Sequence, residues 1–249
     1  MAIEVEIQDG VGELIINAPP VNALNNKGWR EFADKMTGLG RNDDVNCVVI
    51  RSEGRGFQAG VDVKELAEHG DLIVELNRGC YDSFAAVYDC PVPTIAAVHG
   101  FCIGGGIGIS GAADFVIASE DATFQLPEID RGALGAATHL MRLVGVQKAR
   151  RMLYTCEAID AHELYRLGGC ESVVPKDKSL RDEVMEVARS IAAKSPKALR
   201  LAKWSANGIE TLDVKKSYRF EQGFTLELYT TPDSQEARDA FVEKRDAKY

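Results

Sequence analysis

Apolar and polar positions alternate through residues 3–8 (IEVEIQ) and again through 11–17 (VGELIIN), with Asp9-Gly10 between the two runs. A period of two around a turn dipeptide predicts a pair of strands closed into a hairpin. The spacing then stretches to that of a helix near 26–39. VNCVVIRS (45–52) follows as an unbroken apolar run, which suits a strand covered on both faces. After a glycine-rich loop at 54–60, a helix is expected near 71–88, ending before Cys90-Pro91-Val92-Pro93, where the prolines disfavour further helix. TIAAV (94–98) and DFVIAS (114–119) read as two more buried strands. Between them the glycine-laden stretch from Gly100 to Gly111 reads as a turn feeding a short helix, so the pattern has become α/β.

From about residue 140 the pattern is almost wholly helical. Asp160 and Glu163 are spaced as an N-cap and its N3 partner, and Ser195-Pro196 as an N-cap followed by a first-turn proline. Helices are expected at 197–209, 212–228 and 234–247. This divides the chain into a core over residues 1–195 and a helical region over 196–249. No low-complexity linker separates them, so the helices should pack on the core or on a neighbouring subunit. No fixed-period repeat of the solenoid kind is present.

The 249 residues, 45% hydrophobic and 27% charged, suffice for one large domain, or one domain with an appendage. No apolar run reaches the roughly 18 residues of a membrane span, and MAIEVEIQDG enters the strand pattern directly, so a cytoplasmic protein without membrane contact is expected. The six cysteines are scattered, the nearest two being ten residues apart, which gives no CxxC spacing and predicts reduced, buried thiols. A net charge of −9 argues against binding nucleic acid non-specifically. No GxGxxG with a following strand-end acid suggests a dinucleotide site.

Four segments in order, PPVNAL (19–24), GRGFQAGVDVKEL (54–66), PVPTIAAVHGFCIGGGIGI (91–109) and ATFQLPEIDRGALG (122–135), with the closing AFVEKR (240–245), resemble the crotonase (enoyl-CoA hydratase/isomerase) superfamily. The resemblance implies an α/β, ClpP-like spiral of repeated ββα units and a C-terminal helical trimerisation region, hence a homotrimer or homohexamer. It also implies an acyl-CoA substrate, of which coenzyme A is a part, and no separate cofactor or metal. The glycine loops suit that chemistry. A thioester enolate carries charge on an oxygen that fixed backbone N–H donors meet well if no side chain blocks them. Alone, such glycines would only permit tight turns and close packing. By resemblance Ala59 and Gly105 supply the oxyanion hole, and the helix opening at Gly104-Gly105-Gly106 adds its positive end. Ala59, Gly60, Val61 and Asp62 would hold the adenine and pantetheine through backbone groups, with Lys64 and the lysines near 244–248 against the phosphates.

Hydratases of the family split water with two glutamates. The second aligns with Glu128 in LPEID, where Pro127 and a pocket-facing loop favour a carboxyl of raised pKa. The first falls on Gly108, so that carboxylate is missing and plain hydration is disfavoured. Asp130, beside Arg131, and His139 could substitute; the bland alternatives are a surface ion pair and a satisfied structural imidazole. Glu221 stands one helical turn from Tyr218 and from Phe224 and Thr225, which makes it a site candidate or an interface anchor. The runs at 77–90, 131–140 and 218–228 look like those of the crotonase-family ring-opening hydrolases of bacterial steroid C/D-ring catabolism. Such enzymes add water to a ring ketone β to the thioester and break a carbon–carbon bond, leaving the enolate. An enoyl-CoA hydratase or isomerase, and a scaffold that has lost its chemistry, are the alternatives.

Overall fold

A computed structural model describes residues 2–248, apart from the side chain of Glu68. The elements are β1 (Ile3–Gln8), β2 (Val11–Ile16), α1 (Asn26–Arg41), β3 (Cys47–Ser52), α2 (Val63–Glu68), α3 (Ile73–Tyr88), β4 (Thr94–Val98), β5 (Phe101–Ile103), α4 (Gly105–Ala112), β6 (Phe115–Ser119) and β7 (Thr123–Gln125). Then come α5 (Ala137–Thr155), β8 (Ile159–Asp160), α6 (Ala161–Arg166), β9 (Ser172–Val174), α7 (Leu180–Ala192), α8 (Pro196–Ile209), α9 (Val214–Tyr229) and α10 (Pro232–Glu243).

The main sheet runs β1-β2-β3-β4-β6-β9, antiparallel only between β1 and β2, which pair from Ile3↔Ile16 to Gln8↔Val11. A smaller sheet holds β5, β7 and β8. The chain lays one strand in each sheet and then a helix (β4, β5, α4, then β6, β7, α5), which is the repeated ββα unit. Single parallel bridges, Gln58↔Cys102 and Leu24↔Val61, extend the small sheet and draw the 58–61 loop up to β5. Successive strand residues face opposite ways. Val48, Ile50, Ala96 and Val98 therefore join the large core under α1, α3, α4 and α5, while Cys47, Val49, Ile95 and Ala97 join a second core under α7. Two covered faces are why these strands read as unbroken apolar runs.

The hairpin departs from its alternation. All of β2 is buried, whereas β1, at the sheet edge, buries only Ile3 and exposes Val5 and Ile7. Glu13 on β2 is buried because Arg51 (2.6 Å) and Arg181 (2.5 Å) both reach it. Predicted caps form: Asp160 accepts from Glu163 N–H at 2.7 Å, and Ser195 accepts from Ala198 N–H with Pro196 in the first turn. Other elements differ. Within the stretch read as helical lie β8 and β9, too short to show a period, and β9 is the last strand of the main sheet. The helix expected at 71–88 starts at Ile73, after a separate α2 and a 3-10 turn at Gly70–Leu72. α10 stops at Glu243 because Lys244 turns left-handed, at φ 55°. The C-terminal helices pack on the core: Lys203 of α8 meets Asp114 at 2.7 Å, and Gln222 of α9 donates to Asn77 O at 2.7 Å.

Candidate active site

The site begins with a side chain tying down a loop. Gln58, fully buried, donates from Nε2 to Gly60 O and accepts from Gly60 N–H, both at 2.7 Å, and holds Gly60 at φ 88°. Leu24 N–H also donates to Gly60 O, and Asp62 N–H to Leu24 O, at 3.0 and 2.9 Å. Gly60 and Asp62, two of the residues expected to hold the pantetheine arm, thus spend their amides on the loop's own shape. Asp62 further accepts from Lys64 N–H to cap α2. Ala59 and Val61 keep N–H groups with no acceptor among the described residues. Lys64 is exposed on α2, and Lys244 and Lys248 are exposed at the far end of the chain.

Against this loop lies the first turn of α4. A Cβ on Gly60 would sit 3.5 Å from Gly105 N, so the two loops touch there. Gly105 is the first residue of α4, and its N–H has no acceptor among the described residues. An unpaired amide at a helix start is ready to meet negative charge.

Gly105 opens on a chamber of about 100 Å³, which Val61 also lines. Leu66 of α2 and Ile73, Leu76 and Phe84 of α3 give its apolar wall; Tyr218, Thr225 and Tyr229 of α9 close it on another side. The strap Ala133–Ala136 completes it, and the C-terminal helices grip that strap. Ser234 Oγ donates to Gly132 O, and Thr225 Oγ1 donates to Leu134 O at 2.8 Å.

Glu128 is the one carboxylate lining the chamber among the described residues. Its carboxyl lies on Gly104, where a Cβ would come within 2.5 Å of Oε1; Oε2 is sealed from solvent and has no hydrogen-bond partner. Burial pushes its pKa up to about 8; Arg131 opposes the rise and the charge of Glu221 adds to it. A carboxyl that changes state near neutrality can both take and return a proton.

The other candidates fall outside the chamber. Asp130 is exposed on the turn Ile129–Arg131, and no ion pair joins it to Arg131, whose guanidinium sits 4.8 Å over the Phe241 ring. His139 is fully buried with neither nitrogen partnered, and burial, with the charge of Arg142, pushes its pKa down to about 3. It packs as a neutral ring behind Phe84 and Tyr218, at 4.9 and 5.1 Å between centroids. Glu221 faces the outer side of the strap, where Oε1 accepts from Ala137 N–H at 2.9 Å at the start of α5. Burial lifts its pKa to about 7, with the Ala137 and Thr138 amides opposing. Glu128, Gly105 and Val61 are thus brought together, with Ala59 on the adjoining loop.

The Gly108 position now has a structural reason. A Cβ there would fall 2.2 Å from Cζ of Phe84, so a ring fills the space in which any side chain would have to begin. The sequence reading did not single out Phe84, Cys80, Gln58 or the phenols of Tyr218 and Tyr229 as site residues. Nothing local distinguishes them from core, although Gln58 stands inside the 54–66 motif, Cys80 and Phe84 inside the 77–90 run and Tyr218 at the start of the 218–228 run.

Two sheets wound as a ββα spiral under a helical C-terminal region make this a crotonase fold. The chain belongs to the enoyl-CoA hydratase/isomerase family, which it matches over residues 6–249. A Rhodococcus jostii protein named (7aS)-7a-methyl-1,5-dioxo-2,3,5,6,7,7a-hexahydro-1H-indene-carboxyl-CoA hydrolase is 52% identical over 94% of this chain and 92% of its own length. A Mycobacterium tuberculosis protein of the same name is 49% identical over 95% of this chain and 96% of its own. Among solved structures, an enoyl-CoA hydratase/isomerase from Xanthobacter autotrophicus superposes with a TM-score of 0.90 at 28% identity, covering 100% of this chain and 98% of that one.

Proposed function

We propose that this enzyme opens the ring of a cyclic β-keto acyl-CoA by hydrolysing a carbon–carbon bond, the reaction of a steroid-degrading pathway. The observation that carries the reading is a chamber with one carboxyl, Glu128, beside an unpaired helix-start amide, while Phe84 fills the space where a second carboxylate would stand. The names of the two hydrolases about half identical to this chain support it.

Glu128 takes a proton from water as its oxygen adds to the ring ketone. The bond from that carbon to the thioester α-carbon then breaks, and its electron pair passes into the thioester as an enolate. The amides of Ala59 and Gly105 meet the enolate oxygen; one such donor is worth about 10²–10³ in rate. Glu128 returns the proton to the α-carbon. One water is consumed, one new carboxyl group appears, and no redox partner or metal is called for. An isomerase also needs only one carboxyl, so a single shuttle would suit it too. The intact amide loops argue against a scaffold without chemistry.

Turnover of a cyclic β-keto acyl-CoA in ¹⁸O water, read by mass spectrometry, should place one ¹⁸O in a new carboxylate. Fast loss of the conjugated ultraviolet band of crotonyl-CoA, with the cyclic compound untouched, would replace this reading with hydration. We further propose a homotrimer or homohexamer, because Trp204, Ile209 and Phe220 are 73–78% exposed on α8 and α9. Sedimentation would measure it. Six free, buried cysteines support a reducing, cytoplasmic setting. Among the described residues no helix is long and apolar enough to cross a membrane.

A further inference from the structure

Phe84 is a closely braced part of the chamber wall. It is 2% exposed, with Trp29 edge-on at 5.6 Å, His139 at 4.9 Å and Tyr218 at 5.2 Å between ring centroids. On a further side stands Gly108, whose lack of a side chain admits the ring. The supports are fixed in turn. Trp29 is fully buried, pressed so closely on α4 that a Cβ on Gly105 would come within 2.6 Å of its ring. His139 is also fully buried and meets Phe84 and Tyr218 edge to face, with neither of its nitrogens hydrogen-bonded. Close-packed interiors do not yield continuously. Moving the Phe84 ring away from the chamber means displacing α4 or three other rings.

A stiff wall selects on shape. A flexible chain entering such a chamber must freeze each of its rotors and find extended room, whereas a compact ring of the same carbon count arrives with its shape set. We propose that Phe84, seated on Gly108, is a specificity-determining residue that selects compact cyclic acyl groups over flexible straight chains. The inference rests on the reading of the chamber as an acyl-thioester site, and it concerns binding rather than the bond that is broken.

The test is therefore a binding test. Cyclohexanecarboxyl-CoA and heptanoyl-CoA carry seven-carbon acyl groups with neither a β-ketone nor a double bond, so the proposed reaction consumes neither. In calorimetric titration the wild type should bind the cyclic ester at least about tenfold tighter. Phe84→Leu should bring the ratio to within about threefold, chiefly by improving heptanoyl-CoA. Gly108→Ala should push the ring into the chamber and weaken the cyclic ester about tenfold, and Phe84→Leu combined with Gly108→Ala should recover most of that loss. The recovery distinguishes a displaced ring from general damage, and melting curves confirm that each variant folds. An equal affinity of the wild type for the two esters, or a preference unchanged by Phe84→Leu, would overturn the proposal. If the shape preference appears but no ring opening is found, only the assignment of the reaction fails. If neither ester binds, both fall.

Discussion

Replacing Glu128 with glutamine separates the carboxyl's cost from its use. Burial lifts the Glu128 pKa from 4.5 to about 8, so the folded protein holds a proton that the unfolded chain releases above about pH 4.5. The stability tied to that proton is complete below pH 4.5 and is lost as pH rises towards 8. At about 1.4 kcal/mol per pKa unit, the folded state at pH 7 is some 3 kcal/mol worse off than at pH 4.5 through this group alone. Residual water around the half-buried residue reduces that figure, and about 0.7–1.4 kcal/mol per pH unit is a fair range. Glutamine has no proton to lose. Its amide inherits the unpartnered position of Oε2, at about 1–3 kcal/mol, but that cost does not vary with pH. Urea unfolding at pH 5, 6, 7 and 8, at one fixed protein concentration, should therefore show the variant gaining on the wild type by that amount per unit. Glu221 titrates in both proteins and largely cancels in the difference. A difference flat to within about 0.5 kcal/mol from pH 5 to 8 would mean that Glu128 is ionised in the folded state, and the account of the site as a near-neutral shuttle would collapse. The same variant should lose about 10²–10⁴ in turnover, while the wild-type kcat/KM climbs with pH and levels off near 8.

Gln58→Ala removes both bonds to Gly60, and kcat should fall about 10–100-fold with little change in KM; unaltered kinetics would show that the clamp does not position the amides. Glu221→Gln keeps an acceptor for Ala137 N–H but removes a charge that adds to burial in raising the Glu128 pKa, so the ascending limb of the pH–rate profile should move slightly to lower pH. An unmoved limb in a folded variant would separate the two carboxyls electrostatically. His139→Leu removes two unpartnered buried nitrogens, so stability should hold or rise by about 1 kcal/mol and turnover should stay within about threefold. A folded but inactive variant would return His139 to the chemistry.

The hairpin, the doubly buried strands and the capped helices were legible because their signals lie within a few neighbouring residues. Glu128 and Gly105 were legible for the same reason, each standing in a short run whose order resembles the family. β8 and β9 are too short for any period. Glu13 could not be read as a buried residue, because one of its partners, Arg181, lies 168 positions away. His139 reads in sequence as a titrating group, and only the rings around it turn it into packing. The pairing of Gly108 with Phe84 joins two helices and appears in neither one alone. Glu221 was legible as an unusual carboxylate, but its placement outside the strap depends on where α9 crosses α5.

The grip of Ser234, Thr225 and Glu221 on the strap has a consequence for how such an enzyme could diversify. The proposed proton carrier Glu128 and the amides of Ala59 and Gly105 belong to the spiral, whereas Tyr218, Thr225 and Tyr229 of α9 close one side of the chamber. Grafting residues 196–249 from a relative would re-tailor what the enzyme admits while leaving its reactive atoms where they are.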